Sequence, residues 1–333
     1  MTTPLNALIL GGSGLIGGAV ARAFLAAGHQ ASVLTRGLRA PAPGAVPLRA
    51  ERTDAGALAA ALTGRSFDVT VDLLAYDAAD VARLLDVPRF SPGRYVLISS
   101  GQVYLVAAGA RPPFPEEEAA LPMIPEPPAG TRDHDNWLYG SGKRAAETEL
   151  LGRCRERGVR GLVLRLPVVQ GAQDGTRRLW AYLERLRDGG PIVLPGGGED
   201  PVRFVWAEDV GRALVALAGG AEAPAFAYNL AQPDEPTLRE LVEGAARALG
   251  TVARIVPRSW DEIAAAGLDH RISPFSGRWC SRPDPARARR DWGFEGTPSA
   301  SWLPAVVRGH LEDAHPTPHP GYARRALELA LAR

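Results

Sequence analysis

Residues 5–10 form a short apolar run that opens directly into Gly11-Gly12-Ser13-Gly14-Leu15-Ile16-Gly17-Gly18, and an alanine-rich segment follows to Ala27. The pattern predicts a strand, a glycine turn and a helix stopped at Gly28. Residues 31–35 supply a second strand and complete a βαβ unit. Further apolar runs recur at 69–74, 95–99 and 162–169, with helical stretches such as 55–62 and 79–85 between them. These runs are too continuously hydrophobic to alternate between core and solvent. They predict a parallel sheet covered on both faces, which is a Rossmann-type doubly wound α/β fold.

Beyond Gly171 the regular alternation is lost. A long amphipathic stretch at 177–187, a glycine turn at 196–198, a strand at 202–206, a helix at 208–218, a short strand at 226–230 and a helix at 237–249 capped by Thr237 are expected. From about residue 251, short helices mix with turns such as Arg282-Pro283-Asp284-Pro285. The predicted organisation is a dinucleotide-binding Rossmann domain over 1–170 plus about 204–232, and a smaller, discontinuous C-terminal α/β substrate lobe over 171–203 plus 233–333. Ligands of such sheets bind beyond the carboxyl ends of the strands, so the cleft between lobes is the expected site. Residues 105–136, rich in proline and containing Glu116-Glu117-Glu118, exceed an ordinary connection and are expected to be a surface loop over that cleft. There is no internal repeat.

Composition narrows the function. With 38 Lys plus Arg against 37 Asp plus Glu in 333 residues, the net charge is +1, which argues against a nucleic-acid binder held by phosphate contacts. Cys154 and Cys280 are the two cysteines, too few for a disulfide framework, so a reducing, cytoplasmic setting is expected. Met-Thr-Thr-Pro at the start lacks the features of a secretory peptide, and no apolar run reaches the ~18 residues of a membrane span. A soluble intracellular protein without a membrane partner is the expectation.

Two glycine spacings coincide, Gly12-x-Gly14-x-x-Gly17 and Gly11-x-x-Gly14-x-x-Gly17. One glycine turns the chain off the strand, the next lets backbone approach a pyrophosphate, and the third lets helix and strand pack closely. NAD-binding units usually end their second strand on a carboxylate. Here Thr35 and Arg36 stand there, and a hydroxyl beside a guanidinium suits a 2′-phosphate, so NADP is favoured with NAD as second choice. A plain solvated charge is the competing reading of Arg36, and likewise of Arg39.

Tyr139-Gly140-Ser141-Gly142-Lys143 heads a helical stretch that runs to about Cys154, and the four-residue spacing puts Tyr139 and Lys143 on one helical face. A nearby ammonium favours a phenolate. The strand at 95–98 ends at Ser99-Ser100-Gly101-Gln102-Val103-Tyr104, delivering hydroxyls where such sheets place chemistry. Ser100, Tyr139 and Lys143 together read as a proton-transfer set beside a hydride carrier, with capping of the next turn as the alternative for Ser100.

These three motifs resemble the extended short-chain dehydrogenase/reductase family, which includes nucleotide-sugar epimerases and dehydratases. The similarity continues through Leu164-Arg165-Leu166-Pro167-Val168-Val169-Gln170-Gly171 and Arg203-Phe204-Val205-Trp206-Ala207-Glu208-Asp209 to Tyr228-Asn229-Leu230. The resemblance implies that Ser100, Tyr139 and Lys143 are catalytic and that Lys143 also binds the nicotinamide ribose. It implies cofactor contacts from Gly11, Gly14, Leu15, Ile16, Gly17 and Pro167, an adenine-side position for Glu51, and a pocket wall from Leu73, Leu74 and Ala75. Homodimers, paired through long helices that include the one bearing Tyr139, are usual in the family.

Departures from the family pattern limit the substrate. Gly101 and Gln102 stand where dehydratases carry an Asp-Glu pair, which disfavours dehydration, and Gln170 and Trp206 replace the usual epimerase residues. The reading is an NAD(P)-dependent oxidoreductase or epimerase acting on a secondary alcohol or ketone, leaning to a reductase. Its substrate is a small molecule, a nucleotide sugar or a biosynthetic ketone. Arg177, Arg203, Arg271 and Arg278 are candidates to hold a diphosphate, with ordinary structural charge an equal alternative. A different class, a non-catalytic RNA-binding member of the fold, is suggested by the similarity of Ser32-Val33-Leu34-Thr35-Arg36-Gly37 to the chloroplast stem-loop RNA-binding branch, and is opposed by the neutral charge. His315 and His319 have metal-ligand spacing, but prolines prevent a helix there and no metal is expected. Asp135 or Asn136 is the expected cap of the Tyr139 helix, and 323–333 is expected to be an amphipathic helix.

Overall fold

A computed structural model describes residues 3–313, 315 and 317–333. The first two residues of the amino-terminal reading and Pro316 of the histidine run lie outside the described residues. The chain forms two compact units. The first comprises Met1–Val169, Val205–Ala231 and Ser281–Gly296, and the second Gln170–Phe204, Gln232–Cys280 and Thr297–Arg333.

In the first unit the elements run β1 (Asn6–Leu10), α1 (Leu15–Ala26), β2 (Gln30–Thr35), β3 (Val46–Arg49), α2 (Ala55–Leu62), β4 (Val69–Asp72), α3 (Ala78–Leu85), β5 (Arg94–Ser100), α4 (Gln102–Leu105), α5 (Arg132–Arg157) and β6 (Arg160–Leu166). A helix over Ala207–Ala218 and a strand over Ala227–Asn229 follow. Seven strands make one sheet in the order Ala227–Asn229, β6, β5, β4, β1, β2, β3, with every neighbouring pair parallel. The order reverses between β1 and β4, and the carboxyl ends of those two strands form the switch point at which such sheets bind ligands.

Both faces of the sheet are buried, which explains the unbroken apolar runs. Ile9, Val33, Val71, Val96 and Leu164 pack on one side with Val20 and Phe24 of α1 and Val210 and Leu214 of the later helix. Leu8, Leu10, Leu97 and Val163 pack on the other with Leu58, Val81, Leu84 and Leu150. Each such side chain contributes ~1.5–3 kcal/mol relative to exposure.

The structure adds one strand and corrects two expectations. β3 was missed because Val46-Pro47-Leu48-Arg49 is a mostly exposed edge strand whose proline is tolerated there. Residues 105–136 are not an open surface loop. They hold a 3₁₀ turn over Glu116–Ala120, the buried side chains of Phe114 and Glu116, and the start of α5. Residues 281–296, assigned from sequence to the substrate lobe, belong to the first unit. Phe114 N donates to Arg282 O at 2.9 Å, Asn229 Nδ2 donates to Asp284 O at 3.0 Å, and Trp292 and Phe294 pack on the sheet core.

The second unit contains helices over Trp180–Asp188, Leu238–Leu249, Ser299–Glu312 and Arg325–Leu331, and a two-stranded parallel sheet of Ile192–Pro195 with Ile255–Arg258. Thr237 and Glu240 form a reciprocal cap on the second of these helices. Arg185 and Glu328, both fully buried, pair at 2.7 Å, and Glu328 also accepts from Val193 N. No helix of the described residues is long and apolar enough to cross a membrane.

Candidate active site

A cleft of about 570 Å3 opens past the carboxyl ends of β1 to β4. Of the residues singled out from sequence, Gly11, Gly14, Thr35, Arg36, Glu51 and Leu74 line it. The three glycines are used differently. Gly11 has φ +90°, and a Cβ there would sit 2.9 Å from Leu74 Cγ. A Cβ on Gly17 would collide with the backbone of Gly11 and Gly12, so the turn and α1 can only meet at a glycine. Gly14 is exposed and a Cβ there would touch nothing closer than 3.9 Å. The protein's own packing therefore does not require glycine at 14, and the missing side chain leaves the turn open toward the cleft. Gly14 is also the N-cap of α1, with no side-chain cap and no acidic residue in the first turn, so the N–H groups there remain available to an anion. The cradle fits a dinucleotide pyrophosphate.

Thr35 ends β2 and its Oγ1 accepts from Gly37 N at 3.2 Å. Arg36 and Arg39 are exposed on the cleft wall. Leu15 is half-buried at the start of α1, while Ile16 and Leu73 pack against the sheet core rather than line the cleft. Ala75 is buried, and so is Pro167, which follows Leu166, the register partner of Ser100.

Arg52, Asp72, Tyr76 and Asp80 were not foreseen. Buried Arg52 pairs with Asp72 at 2.8 Å and donates to Asp80 O at 2.6 Å, tying the turn after β3 to the turn after β4. Asp72, fully buried at the end of β4, also accepts from Tyr95 Oη at 2.6 Å and from Leu74 N at 2.8 Å. Burial, then the Asp72 charge, pushes the Tyr95 phenol well above its ordinary range, so it stays a donor. The two turns are walls of the cleft, and this cluster sets their spacing.

The helix bearing Tyr139 starts earlier than expected. Its N-cap is Thr131, whose Oγ1 accepts from His134 N at 3.1 Å, and neither Asp135 nor Asn136 caps it. Gly130, at φ +77°, turns the chain so that Thr131 arrives extended at the helix start, and Asn136 instead accepts from Gln102 Nε2 at 2.9 Å. The glycines of the Tyr139–Lys143 motif admit neighbours. A Cβ on Gly140 would lie 2.8 Å from Gln102 O, and one on Gly142 2.5 Å from Tyr76 O. α5 is thereby in backbone contact with both the turn after Ser100 and the turn after β4.

Tyr139 is 38% exposed, and its ring centroid lies 6.2 Å from that of Tyr76. Lys143, 2% exposed, has its Nζ 5.9 Å from the Tyr139 centroid, and it donates to Ala75 O at 2.7 Å and Ile98 O at 3.0 Å. Burial pushes its ammonium down to about 8, with Asp72 and Glu147 opposing. Ser100 ends β5 and its Oγ accepts from Gln102 N at 3.2 Å, the turn-capping use foreseen as an alternative. Beneath it Ser99 Oγ donates to Glu147 at 2.5 Å, and Arg165 grips both Glu147 oxygens, at 2.6 Å and 3.0 Å. This buried set fixes α5 against β5 and β6.

One signal in the sequence was overlooked. The chain's 38 basic residues are 37 arginines and one lysine, and the lysine is Lys143. Arginine stays charged under all ordinary conditions, whereas a buried lysine titrates. Among its 38 lysine and arginine positions, the chain uses the readily titrated lysine at this one alone.

The arginines considered for a diphosphate make local contacts in the second unit: Arg177 with Thr317 O, Arg203 with Glu235, Arg271 with Asp269, and Arg278 over the Trp279 ring. His319 Nδ1 accepts from Gly321 N, and no group of three metal-ligating residues occurs among the described residues.

Comparison with known proteins gives the family. The NAD dependent epimerase/dehydratase family model matches residues 7–231. A 2′-dehydrokanamycin reductase of Streptomyces kanamyceticus is 29% identical, over 93% of this chain and 87% of its own length. The chloroplast stem-loop binding protein of 41 kDa b of Arabidopsis thaliana is 25% identical over 73% of this chain, which spans 63% of that protein. Among solved structures, the UDP-glucose 4-epimerase of Thermotoga maritima with UDP-glucose superposes with a TM-score of 0.71 at 19% identity, covering 92% of this chain and 99% of its own. RMD from Pseudomonas aeruginosa complexed with NADPH gives 0.64 at 22% identity, covering 92% and 100%. The family match spans the seven strands of the sheet and its switch-point cleft, and the chain belongs to the NAD dependent epimerase/dehydratase family.

Proposed function

We propose that this protein is an NADP(H)-dependent reductase, with NAD(H) the second choice, acting on a carbonyl of a small polar molecule. The carrying observation is the pairing on α5. The Tyr139 ring and the Lys143 ammonium are 5.9 Å apart, and they adjoin Tyr76, a wall of the dinucleotide cleft. The nicotinamide, when bound, supplies or accepts hydride at its C4. Tyr139 gives its phenolic proton to the substrate oxygen on reduction and takes it back on oxidation. Lys143, mostly protonated at neutral pH, favours the phenolate left behind. Ser100 Oγ orients the substrate oxygen, and Gly14 with the start of α1 holds the pyrophosphate. Arg36, with Arg39 beside it, meets the 2′-phosphate.

The lean toward net reduction rests on the absence of the Asp-Glu pair after Ser100, on Gln170 and Trp206 at the epimerase positions, and on the reductase relative that covers 93% of the chain. That relative's printed name points to a keto group on an aminoglycoside-like molecule, and the UDP-glucose of the Thermotoga maritima epimerase to a nucleotide-linked sugar, as substrate classes. RNA binding is the second reading, carried by the stem-loop binding relative. The deciding experiment releases and identifies any nucleotide bound to the purified protein, then follows NADPH absorbance against a panel of keto sugars. Stoichiometric NADPH loss supports the reductase. Turnover with unchanged absorbance makes it an epimerase, and an RNA gel shift at physiological salt without any nucleotide affinity would replace the enzymatic reading.

A further inference from the structure

Tyr76 occupies the turn between β4 and α3, lines the dinucleotide cleft and is 50% exposed. For an exposed aromatic, its backbone is tightly held. Its N–H donates to Asp80 Oδ2 at 2.9 Å, and its carbonyl occupies the space left by the missing Cβ of Gly142. The carbonyl just before it, Ala75 O, accepts from Lys143 Nζ. The ring is thereby set over the lysine. Nζ lies 4.8 Å from the Tyr76 centroid, nearer than the 5.9 Å to Tyr139.

An ammonium carries three N–H donors. Two go to the carbonyls of Ala75 and Ile98, and the ring face of Tyr76 is the next electron-rich surface. Cations within about 6 Å of a ring centroid are drawn to the negative face of its quadrupole. We propose that Tyr76 is a positioning residue of the proton-transfer set: its ring forms the third wall around the Lys143 ammonium and keeps that charge beside the Tyr139 phenol. This rests on the reading of Tyr139 and Lys143 given above. It also supplies a purpose for Gly142, since any side chain there would displace the Tyr76 backbone and carry the ring off the lysine.

The other groups facing Lys143 are Asp72 at the end of β4, Asp80 on α3 and Glu147 on α5, which favour the charged form, and Arg52 before α2, which opposes it. Tyr139 adjoins the ammonium as well. Burial is the largest influence and works against the charge. The ring therefore matters most near neutral pH, where the lysine is not far from losing its proton.

Because Lys143 is the sequence's one lysine, protein grown on 13Cε-lysine gives a single lysine signal, whose shift against pH reports its titration without any substrate. The full chain is compared with Tyr76→Phe and Tyr76→Leu, with Tyr76→Met as a second ring-less variant should the leucine form fold poorly. The expected result is an unchanged midpoint in Tyr76→Phe and one lowered by roughly 0.5–1 pH unit in the ring-less variants. A wild-type midpoint in the ring-less variants overturns the proposal, and so does an equal fall in Tyr76→Phe, which would make the hydroxyl rather than the ring responsible. NADP+ and NAD+ binding by the wild type is measured separately. Failure to bind either overturns the proposed function and Tyr76's place in proton transfer with it, whatever the titration shows.

Discussion

The carbonyl oxygen of Tyr76 stands 2.5 Å from where the first side-chain carbon of residue 142 would be, and Gly142 is what lets the turn after β4 reach α5. Ten residues on, in the same helix, Gly152 has nothing within 4 Å of the equivalent point. The same substitution should therefore have opposite signs. Gly142→Ala should lower stability by about 1–3 kcal/mol through overpacking against backbone. Gly152→Ala should raise it by about 0.5–1 kcal/mol through helix propensity alone. Urea titration of both variants checks the pair, and destabilisation by both would remove the special status of position 142.

Loss of the phenolic proton should stop chemistry without loosening the nucleotide. Tyr139→Phe is expected to reduce turnover by roughly 10²–10⁴-fold with NADP+ affinity unchanged. Retained turnover in that variant would sink the assignment of the acid/base.

Cofactor choice is tested at the end of β2. Removing one charge-assisted contact costs ~1.5–3 kcal/mol, so Arg36→Ala should weaken NADPH binding by roughly 10–100-fold and leave NADH binding nearly unchanged. Equal affinity changes for both cofactors would make Arg36 an ordinary surface charge.

The lysine should leave a signature in stability as well. Its folded value near 8 lies below the ordinary 10.5, so between those pH values the unfolded chain binds a proton that the folded chain does not. Stability contributed by this site therefore rises with pH across that window, by a total of order 3 kcal/mol, and is lowest below about 8 where a charge must be buried. Denaturant midpoints of wild type minus Lys143→Met, measured from pH 7 to about 10.5, should increase with pH. A flat difference would mean that the ammonium is not desolvated.

The anchor of α5 is the remaining target. Glu147→Gln leaves the buried Arg165 guanidinium without its carboxylate and should cost about 3–5 kcal/mol. A loss under about 1 kcal/mol in thermal or urea unfolding would show that this pair does not hold the helix in place.

The features legible in the sequence were those written in a few adjacent residues. The glycine turn, the apolar strands and the Tyr139–Lys143 spacing each declare themselves within about eight positions. What escaped depends on partners brought together only by folding. Arg52 meets Asp72 twenty residues on, Glu147 meets Arg165 eighteen on, and Tyr104 donates to Asn229 across 125 residues. Tyr76 was overlooked because it follows the pocket segment ending at Ala75 and matches no motif, and its place over Lys143 exists only because Gly142 lets it approach. The assignment of 281–296 failed for a related reason: a proline-rich segment carries no periodicity to reveal which core Trp292 and Phe294 will join. β3 failed because an edge strand need not look hydrophobic.

A chain that carries its surface positive charge on arginine alone has no exposed side-chain amine for acylating reagents to find. Ordinary amine conjugation, which decorates most proteins indiscriminately, has one side-chain target here, shut beneath Tyr76 and the end of β5. The rate at which Lys143 is acylated would thus serve as a gauge of how often that corner of the fold opens, and a ligand that seals it should slow the reaction at a single, chemically unambiguous position.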